Sequence, residues 1–288
     1  MSKVLYEKDG RIARVILNRP EKMNAIDNDL PSQLSAAVAK ADSDSDIHVI
    51  VLSGAGKAFC SGYDLDYFTS HEDSNRAVQE MPWDPITDYQ FMWSNTQHFM
   101  SLWRAIKPVL CKVHGYAIAG GSDIALCADF VIMEDEAEIG YMPARVWGSP
   151  TTAMWVYRLG AEKAKRMLFT GDKINGKEAE KLGLILKAVP YAQLDQEIED
   201  LAARMASVPI NQLAMQKMVV NQSIEQSINY TQRLSTLFDG IARHSPEGIN
   251  FQLRAEKFGW KQAVKERDDG EFDWSKNKPI SRSNPSSS

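Results

Sequence analysis

Two stretches restrict the fold of this chain more than any others: VIVLSG at 49–54 and VLCKVHGYAIAGGSD at 109–123. Each is rich in β-branched and other apolar residues and runs into glycines. Such a run reads as a buried strand, and the glycines let the backbone turn sharply or come close to another segment. The surrounding elements alternate. RIARVILNRP reads as a strand ended by an Asn-Arg-Pro turn, and residues 28–42 as a helix with Leu30, Leu34, Ala37, Val38 and Ala41 on one face. IHVIVLSG is the next strand. VLCKVHG and DFVIM are two more, enclosing the glycine turn and a short helix, and NGKEAEKLG is a helix before the strand LILKAVP. Strands alternating with helices pair mainly in parallel, so the class is α/β.

After residue 190 the strand signals stop. LDQEIEDLAARMASV, PINQLAMQKMVVNQSI and INYTQRLSTLFDGIARH all carry helical periodicity. The expected organisation is an α/β core over 1–190, a helical region over 191–274, and a polar Ser/Pro-rich tail over 275–288 expected to be disordered. Residues 66–98 stand out, with acids, two prolines and the aromatics Trp83, Tyr89, Phe91 and Trp93. A long aromatic connection of this kind is either a lid or pocket wall, or a surface excursion packed on the core.

Composition removes several function classes. A net charge of −5 over 288 residues argues against a nucleic-acid surface. No apolar run approaches the roughly 18 residues of a membrane span, and the first residues contain no signal-peptide core. Cys60, Cys111 and Cys127 lie in apolar surroundings without metal or redox spacing, which points to buried reduced thiols in a cytoplasmic protein. The five histidines are scattered without ligand spacing, so no metal site is expected.

A strand, glycine turn and helix in succession leaves backbone N–H groups unpaired at the positive end of a helix. It suits a phosphate or an oxyanion formed during reaction, or else simply permits tight packing. GAGKA within VLSGAGKAFCSGYDLDYF is not a Walker loop, because Val51 and Ala58 stand where glycine and Ser or Thr are needed. Two such turns can instead offer one N–H each to a single oxygen. Ser122 with His114 is a possible nucleophile pair, but GGSDI is not a GxSxG elbow.

At this point the chain resembles the crotonase (enoyl-CoA hydratase/isomerase) superfamily. VILNRPEKMNA, VIVLSGAGKAFCSGYDL, KPVLCKVHGYAIAGGSDIALCADF and RMLFTGDKINGKEAEKLGLILKAVP are similar to that family's successive motifs, in its order and spacing. The resemblance implies a ββα superhelical core, C-terminal helices that assemble trimers or paired trimers, and an acyl-CoA thioester as substrate with no separate cofactor. It implies that the N–H groups of Tyr63 and Gly120 hold the thioester carbonyl. It places Lys22, Met23, Ala25, Lys57, Ala58, Ser61, Gly62 and Leu65 along the CoA moiety, with the two lysines nearest the phosphates. Asp64 and Tyr116 fall in matching segments, where capping and packing are alternative roles.

The chain also departs from the family's pattern. The first catalytic glutamate of active hydratases corresponds to Asp123, one methylene shorter. It is either the acid/base or a first-turn aspartate favoured by the helix dipole. The second glutamate belongs in the turn EIGYMPARVWGSP, where Pro143, Ala144 and Arg145 offer no carboxylate. Arg145 cannot act as a base, though it can bind an acidic acyl group. Asp84 or Asp88 in the aromatic segment is the candidate replacement. The expected function is acyl-CoA processing, with Asp123 acting on an atypical enoyl-CoA. The alternative is a non-catalytic acyl-CoA-binding homologue.

Overall fold

The computed structural model describes residues 2–69 and 78–280, so parts of the expected lid (70–77) and tail (281–288) lie outside the described residues. The strands are β1 (Val4–Asp9), β2 (Ile12–Leu17), β3 (Val49–Gly54), β4 (Val109–Val113), β5 (Tyr116–Ile118), β6 (Phe130–Glu134), β7 (Glu138–Gly140), β8 (Lys173–Asn175) and β9 (Lys187–Val189). The main sheet runs β1-β2-β3-β4-β6-β9, and β5-β7-β8 form a second, smaller sheet. Within the main sheet only β1 and β2 pair antiparallel. The α/β class with largely parallel pairing is therefore correct.

Side-chain alternation sets the layers. On β3, Val49 and Val51 face α7 (Tyr191–Ala206), against Leu194, Ile198 and Ala202. Ile50 and Leu52 point the other way, into the main core with Leu34 and Val38 of α1 (Leu30–Ser43). A short α2 (Leu65–Phe68) follows the first glycine turn, and α4 (Gly120–Leu126) follows the second. Between them lies α3 (Pro85–Arg104), a 20-residue helix where the sequence showed an aromatic excursion. Its start is well capped, with Pro85 in the first turn and the Asp84 carboxylate accepting from the N–H groups of Ile86 and Thr87. The α5 helix (Met154–Thr170) is interrupted at Gly160, whose φ is 73°, and α6 (Gly176–Leu182) leads to β9.

The C-terminal region continues through α8 (Ile210–Gln222), α9 (Glu225–His244), α10 (Pro246–Phe258) and α11 (Trp260–Asp269). A hairpin of β10 (Phe272–Asp273) and β11 (Lys278–Pro279) spans position 275, where the tail was expected to begin. Phe251, Ala255, Ala263, Phe272 and Trp274 close a separate apolar core around Phe68, Val146 and Trp147. Helices after 190 therefore cover the main sheet and also wall the region beyond the glycine turns. Among the described residues no helix is long and apolar enough to cross a membrane.

Helix α9 inverts the usual amphipathic arrangement. Its buried positions include Gln232, Thr236, Asp239 and Arg243. Its exposed positions carry Tyr230, Leu234, Leu237, Phe238 and Ile241.

Candidate active site

The two glycine turns meet. Asn24 ties the first motif to the second, its amide donating to the carbonyls of Ala55 and Ala58 at 2.8 Å each. Isolated parallel bridges then join Ile26 to Tyr63 and Cys60 to Ala117. The closeness excludes side chains. A Cβ on Gly121 would lie 2.4 Å from the Cys60 carbonyl oxygen, and one on Gly120 would lie 2.9 Å from the Tyr63 ring. Gly62 has a φ of 91° and faces the Ile118 carbonyl, so it requires glycine on both counts.

Ala119 sits at φ 50° and ψ −121°, a costly conformation for a residue with a Cβ. Its carbonyl accepts from the Ser122 N–H, the Asp123 N–H and the Ser122 hydroxyl, which locks the turn. Gly120 opens α4, so its N–H has no intrahelical partner. Among the described residues the Tyr63 N–H also has no backbone partner. These are the two donors expected from the resemblance.

Beside them is a cavity of about 170 Å³. Ser61, Tyr63 and Ala119 form one side, with Phe68, Phe91 and Pro143 among the apolar walls and Trp147 and Trp260 beyond. Trp147 holds its place with a φ of 83°, rare for a bulky residue. Phe91 comes from α3, so the aromatic segment does supply a wall. The charged lining is Asp239, Arg243 and Arg267, all from the C-terminal helices.

Two buried carboxylates flank the loop 148–152. Asp123, 2% exposed, accepts from the Thr152 hydroxyl at 2.5 Å. Burial pushes its pKa up to about 8, opposed by the Thr152 hydrogen bond and reinforced by the charge of Asp239. Asp239, 4% exposed, accepts from the Ser149 N–H at 2.9 Å and from Arg243 Nε at 3.1 Å. Its pKa is also raised by burial, but the Arg243 guanidinium works against that. Arg243 in turn bonds Asp88 of α3 at 2.9 Å. The loop is held by the Tyr141 hydroxyl on the Ser149 carbonyl, by Ser235 on the Pro150 carbonyl and by Gln232 on the Thr152 carbonyl.

A family model described as enoyl-CoA hydratase/isomerase matches residues 7–263. The chain belongs to this family. A probable mitochondrial enoyl-CoA hydratase of Dictyostelium discoideum is 31% identical over 77% of this chain and 76% of its own length. A crotonyl-CoA hydratase of Syntrophomonas wolfei is 27% identical, covering 78% of this chain and 84% of that protein. Among solved structures, an enoyl-CoA hydratase of Mycobacterium smegmatis superposes with a TM-score of 0.87 at 46% identity, over 93% of this chain and 94% of that one. As a member of the enoyl-CoA hydratase/isomerase family, the chain is an enzyme acting on acyl-CoA.

Against that family's pattern, the expected residues divide into groups. Lys22 and Lys57 are exposed, and Lys22 bonds Asp66 at 2.6 Å. Ala25, Ala58 and Gly62 are buried, Met23 and Tyr116 are exposed, and Ser61 and Leu65 line the cavity. The Asp64 side chain makes no cap bond to α2; it pairs with Arg19 at 2.9 Å. Arg145 does not line the cavity. It donates to the Thr170 carbonyl and packs beside Gly171 and Gly270, away from the cavity in which an acyl acid was expected to meet it.

Asp84 caps α3 and Asp88 pairs with Arg243, and neither is among the residues that line the cavity. Ser122 bonds Ala119 while His114 Nε2 lies 2.9 Å from the Gly56 carbonyl, so each has its own backbone partner. Sequence reasoning missed Asp239, Arg243, Arg267, Trp147 and Trp260. The spacing of Asp239 and Arg243 at i, i+4 was visible, but it lay on the polar face of a helix that the pattern turned toward solvent.

Proposed function

We propose that this enzyme binds the thioester carbonyl of an enoyl-CoA between the N–H groups of Tyr63 and Gly120, with Asp123 as an acid/base on the acyl chain. The observation that supports the reading is that two glycine turns, each with an N–H free of backbone partners, meet beside a cavity lined by Asp239, with the buried Asp123 bonded to Thr152. Enolate charge developing at the thioester oxygen is stabilised by such donors, each contributing about 10²–10³ in rate. Asp123, raised to about 8, is a carboxylic acid at neutral pH and so has a proton to deliver. Lys22 and Lys57, at the exposed end, bind the CoA phosphates, and no cofactor beyond CoA is required. The aromatic walls suit an acyl group bulkier than crotonyl. The exposed apolar stripe of α9 supports assembly into trimers, and the reduced thiols suit the cytoplasm.

The test pairs binding with turnover. Millimolar CoA should raise the melting temperature by mass action. Bulky enoyl-CoAs should be hydrated faster than crotonyl-CoA, followed by loss of enoyl absorbance. Asp123→Asn should lower turnover by at least 10²-fold while CoA binding stays nearly intact, because the carbonyl donors are backbone. No CoA-dependent shift, or hydration that survives Asp123→Asn, would reject the reading.

A further inference from the structure

Hydrating a double bond conjugated to a thioester requires two proton transfers: one off the water and one onto the α-carbon. The turn after β7 has no carboxylate for the second role, and Asp123 has a single side-chain donor, the Thr152 hydroxyl. Asp239 lies at the cavity with the Ser149 N–H and the Arg243 guanidinium on its oxygens. One donor to each acid, the Ser149 N–H for Asp239 and the Thr152 hydroxyl for Asp123, comes from the same loop. The loop therefore ties Asp123 of α4 to Asp239 of α9, and of the two it is Asp239 that lines the cavity.

We propose that Asp239 is the second catalytic carboxylate of this site, the base that activates water, supplied from α9 in place of the absent glutamate. This rests on the acyl-CoA reading above. The division of roles follows from the partners. Of the two, the carboxyl group held by a guanidinium gives up its proton more readily and is the better acceptor, whereas the one whose side-chain donor is a hydroxyl holds its proton more tightly.

The step balances. The Asp239 carboxylate takes a proton from water as the water oxygen bonds to the β-carbon. The π pair of the double bond shifts to form the enolate, held by the N–H groups of Tyr63 and Gly120. The enolate then takes the Asp123 proton at its α-carbon, leaving a 3-hydroxyacyl thioester. Return of one proton from Asp239 to Asp123 resets the pair.

A second feature of α9 points the same way. The helix buries Gln232, Thr236, Asp239 and Arg243 while leaving an apolar stripe outside. Packing alone favours the opposite rotation, because buried polar groups are costly unless their partners are in place. The rotation observed is the one that delivers Asp239 to the cavity.

The experiment uses the full-length protein with two readouts. Hydration of a bulky enoyl-CoA reports both proton transfers. Exchange of the α-protons of the saturated acyl-CoA in heavy water reports only the transfer at the α-carbon. Asp239→Asn should lower hydration by 10²–10⁴-fold while α-exchange and acyl-CoA affinity stay within about threefold. Asp123→Asn should abolish both reactions. Retained exchange in Asp239→Asn also proves that the variant is folded. Should that variant not fold, Asp239→Glu keeps the charge and should lose hydration by at least tenfold with exchange retained. Wild-type hydration by either variant, or parallel loss of exchange in a folded Asp239→Asn protein, would overturn the assignment. Failure of the wild type to bind acyl-CoA would instead sink the reading on which it rests.

Discussion

At the scale of single residues, Asp123 is the position where burial and charge conflict. Its pKa in the fold, about 8, lies above the ordinary 3.8. Between those values the folded chain keeps a proton that the unfolded chain releases. Stability therefore falls as pH rises through this window, and the loss is complete above about 8. Asp123→Asn removes the titration and can still accept from Thr152. Its stability relative to wild type should increase steadily from pH 5 to pH 8, read from denaturant midpoints; a difference that does not change with pH would show that Asp123 stays ionised. Gly121 makes a second residue-scale prediction. With the Cys60 carbonyl 2.4 Å from its would-be Cβ, Gly121→Ala should cost about 1–3 kcal/mol and lower turnover by separating the two turns. The glycine was conspicuous in the sequence, but what it faces lies 61 residues earlier in the chain. No local pattern carries that information.

At the scale of elements, α3 and α9 are clamped by a buried array in which Arg243 bridges Asp88 and Asp239. Removing Asp88 takes away the acceptor to which the buried Arg243 Nη2 donates. Asp88→Ala should therefore destabilise the protein by about 3 kcal/mol in a denaturation series. It should reduce hydration less than Asp239→Asn does, because Asp239 keeps both its own partners. A larger effect of Asp88→Ala on turnover would mean that Asp88 itself meets the substrate. Strands such as β3 and β4 were legible because burial on both faces demands unbroken apolar runs. Edge strand β1 was not, since half of VLYEKD is exposed. The capping signal of α3 was present in Asp84-Pro85, but aromatics on several sides of the helix concealed its period.

At the scale of the whole molecule, the outer surface of the C-terminal helices carries a stripe of exposed apolar residues, the kind of surface that assembly buries. Tyr230 of α9 is 80% exposed and Met218 of α8 64%, with Leu234 and Phe238 beside them in the stripe. Light scattering should give a trimer or a multiple of three. Phe238→Glu together with Leu234→Glu should yield smaller species, and a monomeric wild type would rule out assembly through this face. By itself the sequence determined the α/β class, the order of the buried strands and the two glycine turns. Those features arise from local spacing of apolar and small residues, which one chain segment states completely. Only the tertiary structure decided which carboxylate lines the cavity. It took Arg145 away to the Thr170 carbonyl and brought Asp239 in from a helix 116 residues beyond Asp123. The physical reason is the rotation of α9: helical periodicity defines an apolar face and a polar face, but not which of them the fold buries.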